Sequence, residues 1–296
     1  MSKTEHKMQG SMTALVTPFK NGAVDFDTLG RLVDRQIEAG TDWLVPCGTT
    51  GESPTLTEEE HDRIIASVIK RSGGRCPVMA GAGSNSTAQA VHLTRRAAQA
   101  GADAVLSVVP YYNRPPQEGL FRHFAAVAQC ADLPVVLYNV PFRTGVAIDN
   151  ATVIRLRKAF SNIVAVKHAT GRVAGVDELL SESDIIVLSG DDSITWPLMS
   201  LGASGVISVI ANLAPGMMKD LTQAALEGGA ANALSLHRAL GELADGIGKF
   251  GPNPIPIKTA LAVAGLIEEE LRLPLCPLDR AGREAVEEVL RRYDLR

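Results

Sequence analysis

Short apolar runs return eight times along the chain, and stretches with helical periodicity lie between them. The runs are Met12–Pro18, Trp43–Cys47, Pro77–Ala82, Ala104–Val109, Pro134–Asn139, Ile163–His168, Ile185–Gly190 and Gly205–Val209. Strands that are apolar on both faces need a parallel sheet covered by helices, and strand–helix alternation supplies one. Eight such units predict closure into an α/β fold, a (β/α)8 TIM barrel. An open doubly wound sheet is the alternative, but its phosphate-binding signatures are missing. Gly81-Ala-Gly83-Ser-Asn-Ser86 has Ser where the third glycine of the dinucleotide fingerprint belongs, and no GxxxxGK[ST] loop occurs.

Helix starts are written at Thr57-Glu-Glu-Glu60 and Ser86-Thr-Ala-Gln89, where a hydroxyl residue is followed three places later by Glu or Gln, a spacing that allows reciprocal capping. Behind them Ile64, Ile65, Val68 and Ile69, and likewise Val91, Thr94 and Ala98, repeat at helical spacing. Gly40, Gly101 and Gly202 follow such stretches, where a left-handed residue ends a helix. After Gly228-Gly229 the pattern is helical only, roughly Ala233–Lys249, Ile255–Leu266 and Ala281–Tyr293, with proline-rich breaks. We therefore expect a barrel over residues 1–229, with a frayed tail over 1–10, and a C-terminal three-helix region over 230–296.

A net charge of −4 offers no general attraction to nucleic acid or anionic lipid. No run approaches the roughly 20 apolar residues that span a bilayer, and residues 1–10 lack a signal-peptide apolar region. Cys47, Cys76, Cys130 and Cys276 form no CxxC pair, which argues for reduced, mostly buried thiols and against a zinc site. These features point to cytoplasmic small-molecule chemistry.

Barrel enzymes draw their reacting groups from the C-terminal ends of strands and the loops that follow. Lys167 stands on the apolar run Ile163–His168, where an unpaired charge is costly. Burial disfavours the charged form of an amine, and a neutral amine can form a Schiff base with a carbonyl; a lysine that reaches solvent or pairs with a carboxylate is the alternative. Gly48-Thr-Thr-Gly51 offers hydroxyls and accessible N–H groups for a small carboxylate, or is simply a turn. Tyr138 is either an acid/base or a packed phenol. Arg143, between Pro141 and Gly145, can grip a carboxylate in bidentate fashion or form a surface ion pair. Tyr111 and Tyr112, between Pro110 and Pro115, form a rigid aromatic loop suited to an interface. Asp191 and Asp192 at a helix start read as caps rather than metal ligands. His168 should face away from Lys167, since strand side chains alternate.

Together GTTGES, PYYNRP, YNVPFRTG, VK followed by ATG, SGDD, GVISV and PNPIPIK resemble, in order and spacing, the dihydrodipicolinate synthase family of pyruvate-dependent class I aldolases, from about Gly10 onward. The resemblance implies a homotetramer that condenses pyruvate with L-aspartate-4-semialdehyde on the route to lysine and diaminopimelate, without cofactor or metal. It assigns the Schiff base to Lys167 and acid/base work to Tyr138. Thr50 would bind the pyruvate carboxylate with help from the Ile207 carbonyl. Thr49, Tyr138 and Tyr112 would relay protons, Tyr112 coming from a neighbouring subunit. Arg143 would hold the semialdehyde carboxylate, with Gly190 and Asp191 nearby. A lysine inhibitor cleft would include Ser53, Pro54, Glu58, His61, Asn85, Gln89 and Tyr111. Here Glu58 replaces the His of some sensitive relatives and Gln89 stands where a carboxylate would meet the inhibitor's ammonium, which implies weak or absent inhibition. His168 replaces a Glu found in many relatives. A sialate or keto-deoxy sugar-acid lyase with the same lysine and tyrosine is the other enzymatic reading. A catalytically idle ketoacid-binding or regulatory member is the non-enzymatic one, against which stand the retained Lys167, Tyr138, Thr49 and Arg143.

Overall fold

The computed structural model describes residues 7–295. Eight parallel strands form one sheet: β1 (Gly10–Ala14), β2 (Trp43–Val45), β3 (Met79–Gly81), β4 (Ala104–Val108), β5 (Val135–Asn139), β6 (Ile163–His168), β7 (Ile186–Ser189) and β8 (Gly205–Ser208). Sequence neighbours pair except β2 with β3, and β1 pairs with β8. A parallel bridge from Leu44 to Val78 joins β2 to the segment entering β3 and closes the barrel. Around it lie α1 (Phe26–Glu38), α2 (Glu58–Ser72), α3 (Thr87–Ala100), α4 (Gln117–Gln129), the single turn α5 (Pro141–Thr144), α6 (Asn150–Ala159), α7 (Val176–Glu182), α8 (Thr195–Ser200) and α9 (Pro215–Leu226). Then come α10 (Ala230–Gly248), α11 (Ile255–Val263) and α12 (Arg280–Arg292).

Two concentric apolar layers explain the doubly apolar strands. Met12, Val45, Met79, Leu106, Val136, Ala165, Leu188 and Ile207 fill the barrel interior, while Leu44, Val78, Val105, Val135, Val166 and Val187 meet the helices outside. Helix α2 begins with the expected reciprocal cap: the Thr57 hydroxyl accepts from the Glu60 N–H and the Glu60 carboxylate accepts from the Thr57 N–H. At α3 only half of the box forms. The Ser86 hydroxyl accepts from Gln89, whose side chain instead donates to Glu58 at 2.9 Å, because a charged acceptor on α2 lies within reach. Gly40, Gly101 and Gly202 all have positive φ, as helix ends require.

Several expectations are corrected. The first strand begins at Gly10 and ends at Ala14 rather than running from Met12 to Pro18. The tail is already ordered at residue 7, where the Lys7 carbonyl accepts from Trp43 Nε1 and Met8 is buried against the barrel interior; residues 1–6 lie outside the described part. A small hairpin, Phe19–Lys20 with Ala23–Val24, follows β1. Asn21 and Gly22 turn it with φ of 53° and 80°, the Asn-Gly signal of a tight hairpin turn. Of the free thiols, Cys47 and Cys76 are buried, Cys130 is half-buried and Cys276 is exposed.

Candidate active site

The register of β5 and β6 sets Tyr138 beside Lys167. Ala165 belongs to the barrel interior and Val166 to the outer layer, so alternation turns Lys167 inward and His168 outward. Lys167 is 5% exposed, and its Nζ lies 4.2 Å from the centroid of the Tyr138 ring, itself 7% exposed. Room for the lysine comes from Gly190 at the end of β7. A Cβ there would lie 2.6 Å from Ala169 Cβ, too short to exist, and 3.0 Å from Lys167 Cε, tight enough that the lysine stem would have to give way. His168 meets the Thr170 hydroxyl at 2.8 Å and the Arg172 carbonyl at 2.9 Å, fixing the turn after β6 on the far side from the amine.

The turn after β2 carries Thr49 and Thr50. Gly81 lets it pack against β3, since a Cβ at that position would be 2.1 Å from the Cys47 carbonyl oxygen. Thr50 is buried, and its hydroxyl accepts from Asn253 Nδ2 at 3.0 Å. Arg143 is exposed, and its Nη2 donates to the Asn253 carbonyl at 3.0 Å. Asn253 thus bridges two predicted site residues, and its own Oδ1 is buried without a hydrogen-bond partner. Nothing singled out Asn253 in the sequence beyond its place in the PNPIPIK segment.

Thr49, Tyr138 and Arg143 line one cavity of about 340 Å³, together with Gly48, Ser53, Pro54, Gln89 and Tyr111. A neighbouring cavity of about 220 Å³, between the barrel mouth and α10–α11, is lined by Gly190, Asp191, Asp192 and Asn253. Ile207 is fully buried in the barrel interior on β8. Tyr112 is not brought to Tyr138 within the single chain: it is 89% exposed, with a left-handed φ of 73°.

The two aspartates cap N–H groups, but not those of their own helix. Asp191 accepts from the Gly171 N–H at 3.0 Å, tying the turns after β6 and β7 together. Asp192 accepts from the Val209 and Ile210 N–H groups at 3.1 and 2.9 Å. Burial raises the pKa of both carboxyls, against the pull of these N–H donors and of Lys167. Among the described residues no group of three or more His, Cys, Asp or Glu is placed to hold a metal ion, and no helix is long and apolar enough to cross a membrane.

Of the residues expected in an inhibitor cleft, Ser53, Pro54, Gln89 and Tyr111 share the larger cavity. Glu58 is engaged by Gln89 rather than left open. His61 is buried and meets the Gly81 carbonyl at 2.8 Å, with burial lowering its pKa. The Asn85 carbonyl accepts from Asn113 at 2.9 Å.

A buried amine beside a phenol, at the C-terminal mouth of a closed (β/α)8 barrel, is the arrangement of a barrel lyase that works through an imine. The model of the dihydrodipicolinate synthetase family matches residues 7–293, and the chain belongs to that family. It is 52% identical to the 4-hydroxy-tetrahydrodipicolinate synthase of Pelobacter propionicus over 97% of this chain and 99% of the relative. The crystal structure of dihydrodipicolinate synthase from Aquifex aeolicus superposes with a TM-score of 0.95 at 47% identity, covering 97% of this chain and 99% of that one. The family member from Cyanidioschyzon merolae, solved with lysine bound, superposes with a TM-score of 0.94 at 37% identity over 99% and 100%.

Proposed function

We propose that the enzyme condenses pyruvate with L-aspartate-4-semialdehyde to give 4-hydroxy-tetrahydrodipicolinate and water, in lysine and diaminopimelate biosynthesis. The observation that carries this reading is the buried Lys167 amine against Tyr138, in a chain about half identical to synthases of that name. The amine attacks the pyruvate ketone and water leaves, forming an imine. That imine is the electron sink: loss of a methyl proton gives an enamine, whose carbon attacks the aldehyde of the second substrate. The substrate's own amino group then attacks the imine carbon, closes the ring and releases Lys167.

Tyr138 exchanges the protons of these steps, with Thr49 and Tyr112 completing the relay. The Thr50 hydroxyl and the N–H groups of the Gly48–Gly51 turn take the pyruvate carboxylate, with the Ile207 carbonyl close by. Arg143 holds the semialdehyde carboxylate next to Gly190 and Asp191. The working form is a cytoplasmic homotetramer in which Tyr112 enters from a neighbouring copy; the exposed Tyr111, Tyr112 and Phe142 supply an aromatic surface for it. The Glu58–Gln89 contact supports weak or absent inhibition by lysine. Half-maximal inhibition by submillimolar lysine in a steady-state assay would refute that.

Mass spectrometry after incubation with pyruvate and borohydride, followed by a coupled assay with the semialdehyde, tests the whole scheme. A pyruvate adduct on Lys167 together with turnover is the expected result. An adduct without turnover would redirect the enzyme to another aldehyde, as in the sugar-acid lyases. No adduct would end the Schiff-base reading.

A further inference from the structure

A buried ion pair behind the site takes no part in the scheme above. Lys258 of α11 brings Nζ within 2.6 Å of Glu52 Oε1, and both side chains are fully buried. The ammonium also donates to the Thr17 carbonyl at 2.9 Å and lies 4.4 Å from the centroid of the Phe19 ring. The second carboxylate oxygen of Glu52 accepts from the Arg272 backbone N–H at 3.0 Å. Taking two charges out of water is expensive even when they are paired, and an apolar pair of equal volume often stabilises a fold as well. Stability alone does not account for such a pair.

What the pair grips accounts for it better. Glu52 is the last residue of the turn that carries Thr49 and Thr50, and its N–H donates to the Thr49 carbonyl at 3.1 Å. It sits at φ 54°, a left-handed conformation that a residue with a Cβ holds only when its surroundings impose it. Thr17 donates its hydroxyl to the Gly51 carbonyl at 2.7 Å while its own carbonyl receives Lys258. Thr17, Glu52 and Lys258 therefore close a ring of contacts around one short turn. Five residues before Lys258, Asn253 reaches the hydroxyl of Thr50 itself.

We infer that the Thr17–Glu52–Lys258 network is a positioning device that fixes the Thr50 hydroxyl and the adjoining N–H groups for the pyruvate carboxylate. The inference rests on the carboxylate role proposed for Thr50. Lys258 acts through Glu52 and touches no reacting atom. A contact to a carboxylate that persists from bound substrate to transition state is uniform binding, so its loss raises KM more than it lowers kcat.

The test is steady-state kinetics and borohydride trapping on the full chain carrying Lys258→Met or Thr17→Val. We expect the pyruvate KM to rise roughly tenfold in Lys258→Met and about threefold in Thr17→Val, with full trapping regained at saturating pyruvate. A merely structural pair would lower Tm and the active fraction, hence kcat and the trapping yield, and leave KM at the parent value; that result overturns the inference. Should Lys258→Met not fold, Thr17→Val decides alone, because it is nearly isosteric and leaves the ion pair in place: a KM within about twofold of the parent overturns the network. A parent that traps no pyruvate overturns the reading of the site and this inference with it, whereas a parent that traps while the variants keep their KM overturns only the network.

Discussion

Lys167 and Gly190 are a matched pair, since the space occupied by the lysine stem is the space that a side chain at 190 would fill. Gly190→Ala should therefore displace Cε from its place beside Tyr138 while the strand stays paired. Misplacing a reacting group by about 1 Å can cost roughly 100-fold in rate; a fall of that order in kcat/KM with a largely retained Tm is the expected outcome of kinetics and thermal melting. Lys167→Ala should abolish borohydride trapping of pyruvate altogether, and a variant still trapped at full yield would move the nucleophile elsewhere. His168 illustrates the opposite case. It is a neighbour in sequence, but alternation sends its ring to the turn behind the strand, where it holds Thr170 and Arg172. Its pKa is lowered by burial, so it stays neutral near pH 7.

At the scale of elements, the start of α2 joins the barrel to the C-terminal region. Glu60 caps Thr57 and also receives Arg272, with Nη1 on Oε2 at 2.6 Å and Nη2 on Oε1 at 2.5 Å. The guanidinium holds the Glu60 carboxyl at about 2, below its ordinary 4.5. A carboxylate whose folded-state pKa is depressed stabilises the fold above its unfolded value and loses that contribution as pH falls toward the folded one. Glu60→Gln should thus lower Tm at neutral pH and flatten the decline of Tm between pH 4.5 and about 2. Thr57→Ala, which removes one side of the cap, should cost about 1 kcal/mol and be visible as a small drop in Tm at every pH. The sequence pattern carried these helices well because capping and periodicity are local. It also carried the positions of Lys167, Tyr138 and the threonine turn, because strand ends in a barrel are where polar residues interrupt apolar runs. The Asn21-Gly22 hairpin was not read from the sequence, although its turn dipeptide is an equally local signal. Asn253, Lys258 and Arg272 were not legible in this way. Each meets its partner more than 200 residues away, and no periodicity encodes a contact of that separation.

Those long contacts make the barrel mouth a product of the whole chain: α11 and the segments flanking it deliver side chains to the turn after β2 and to α2, and α9 to α12 share one apolar cluster with Val206 and Ile210. Tyr112 carries the same logic past the single chain. Its ring is 89% exposed on a loop whose left-handed backbone is tied to α5 by an N–H donated to the Thr144 carbonyl, so the phenol is held outward and not toward its own Tyr138. A relay that includes Tyr112 then requires a second copy, and the requirement can be tested without assuming which surfaces meet. Tyr112→Phe and Lys167→Ala should each be nearly inactive alone. In a mixed dimer, however, one site keeps Lys167 in its own chain and receives Tyr112 from the Lys167→Ala partner. Random exchange at equal concentrations makes half of the dimers hybrids with one intact site each, which predicts recovery of about a quarter of parental activity under C2 pairing. Activity should rise with the time course of subunit exchange, followed by native mass spectrometry of the two variants. Hybrids that form and stay inactive would show that Tyr112 serves its own chain, and a Tyr112→Phe variant fully active by itself would remove Tyr112 from the relay.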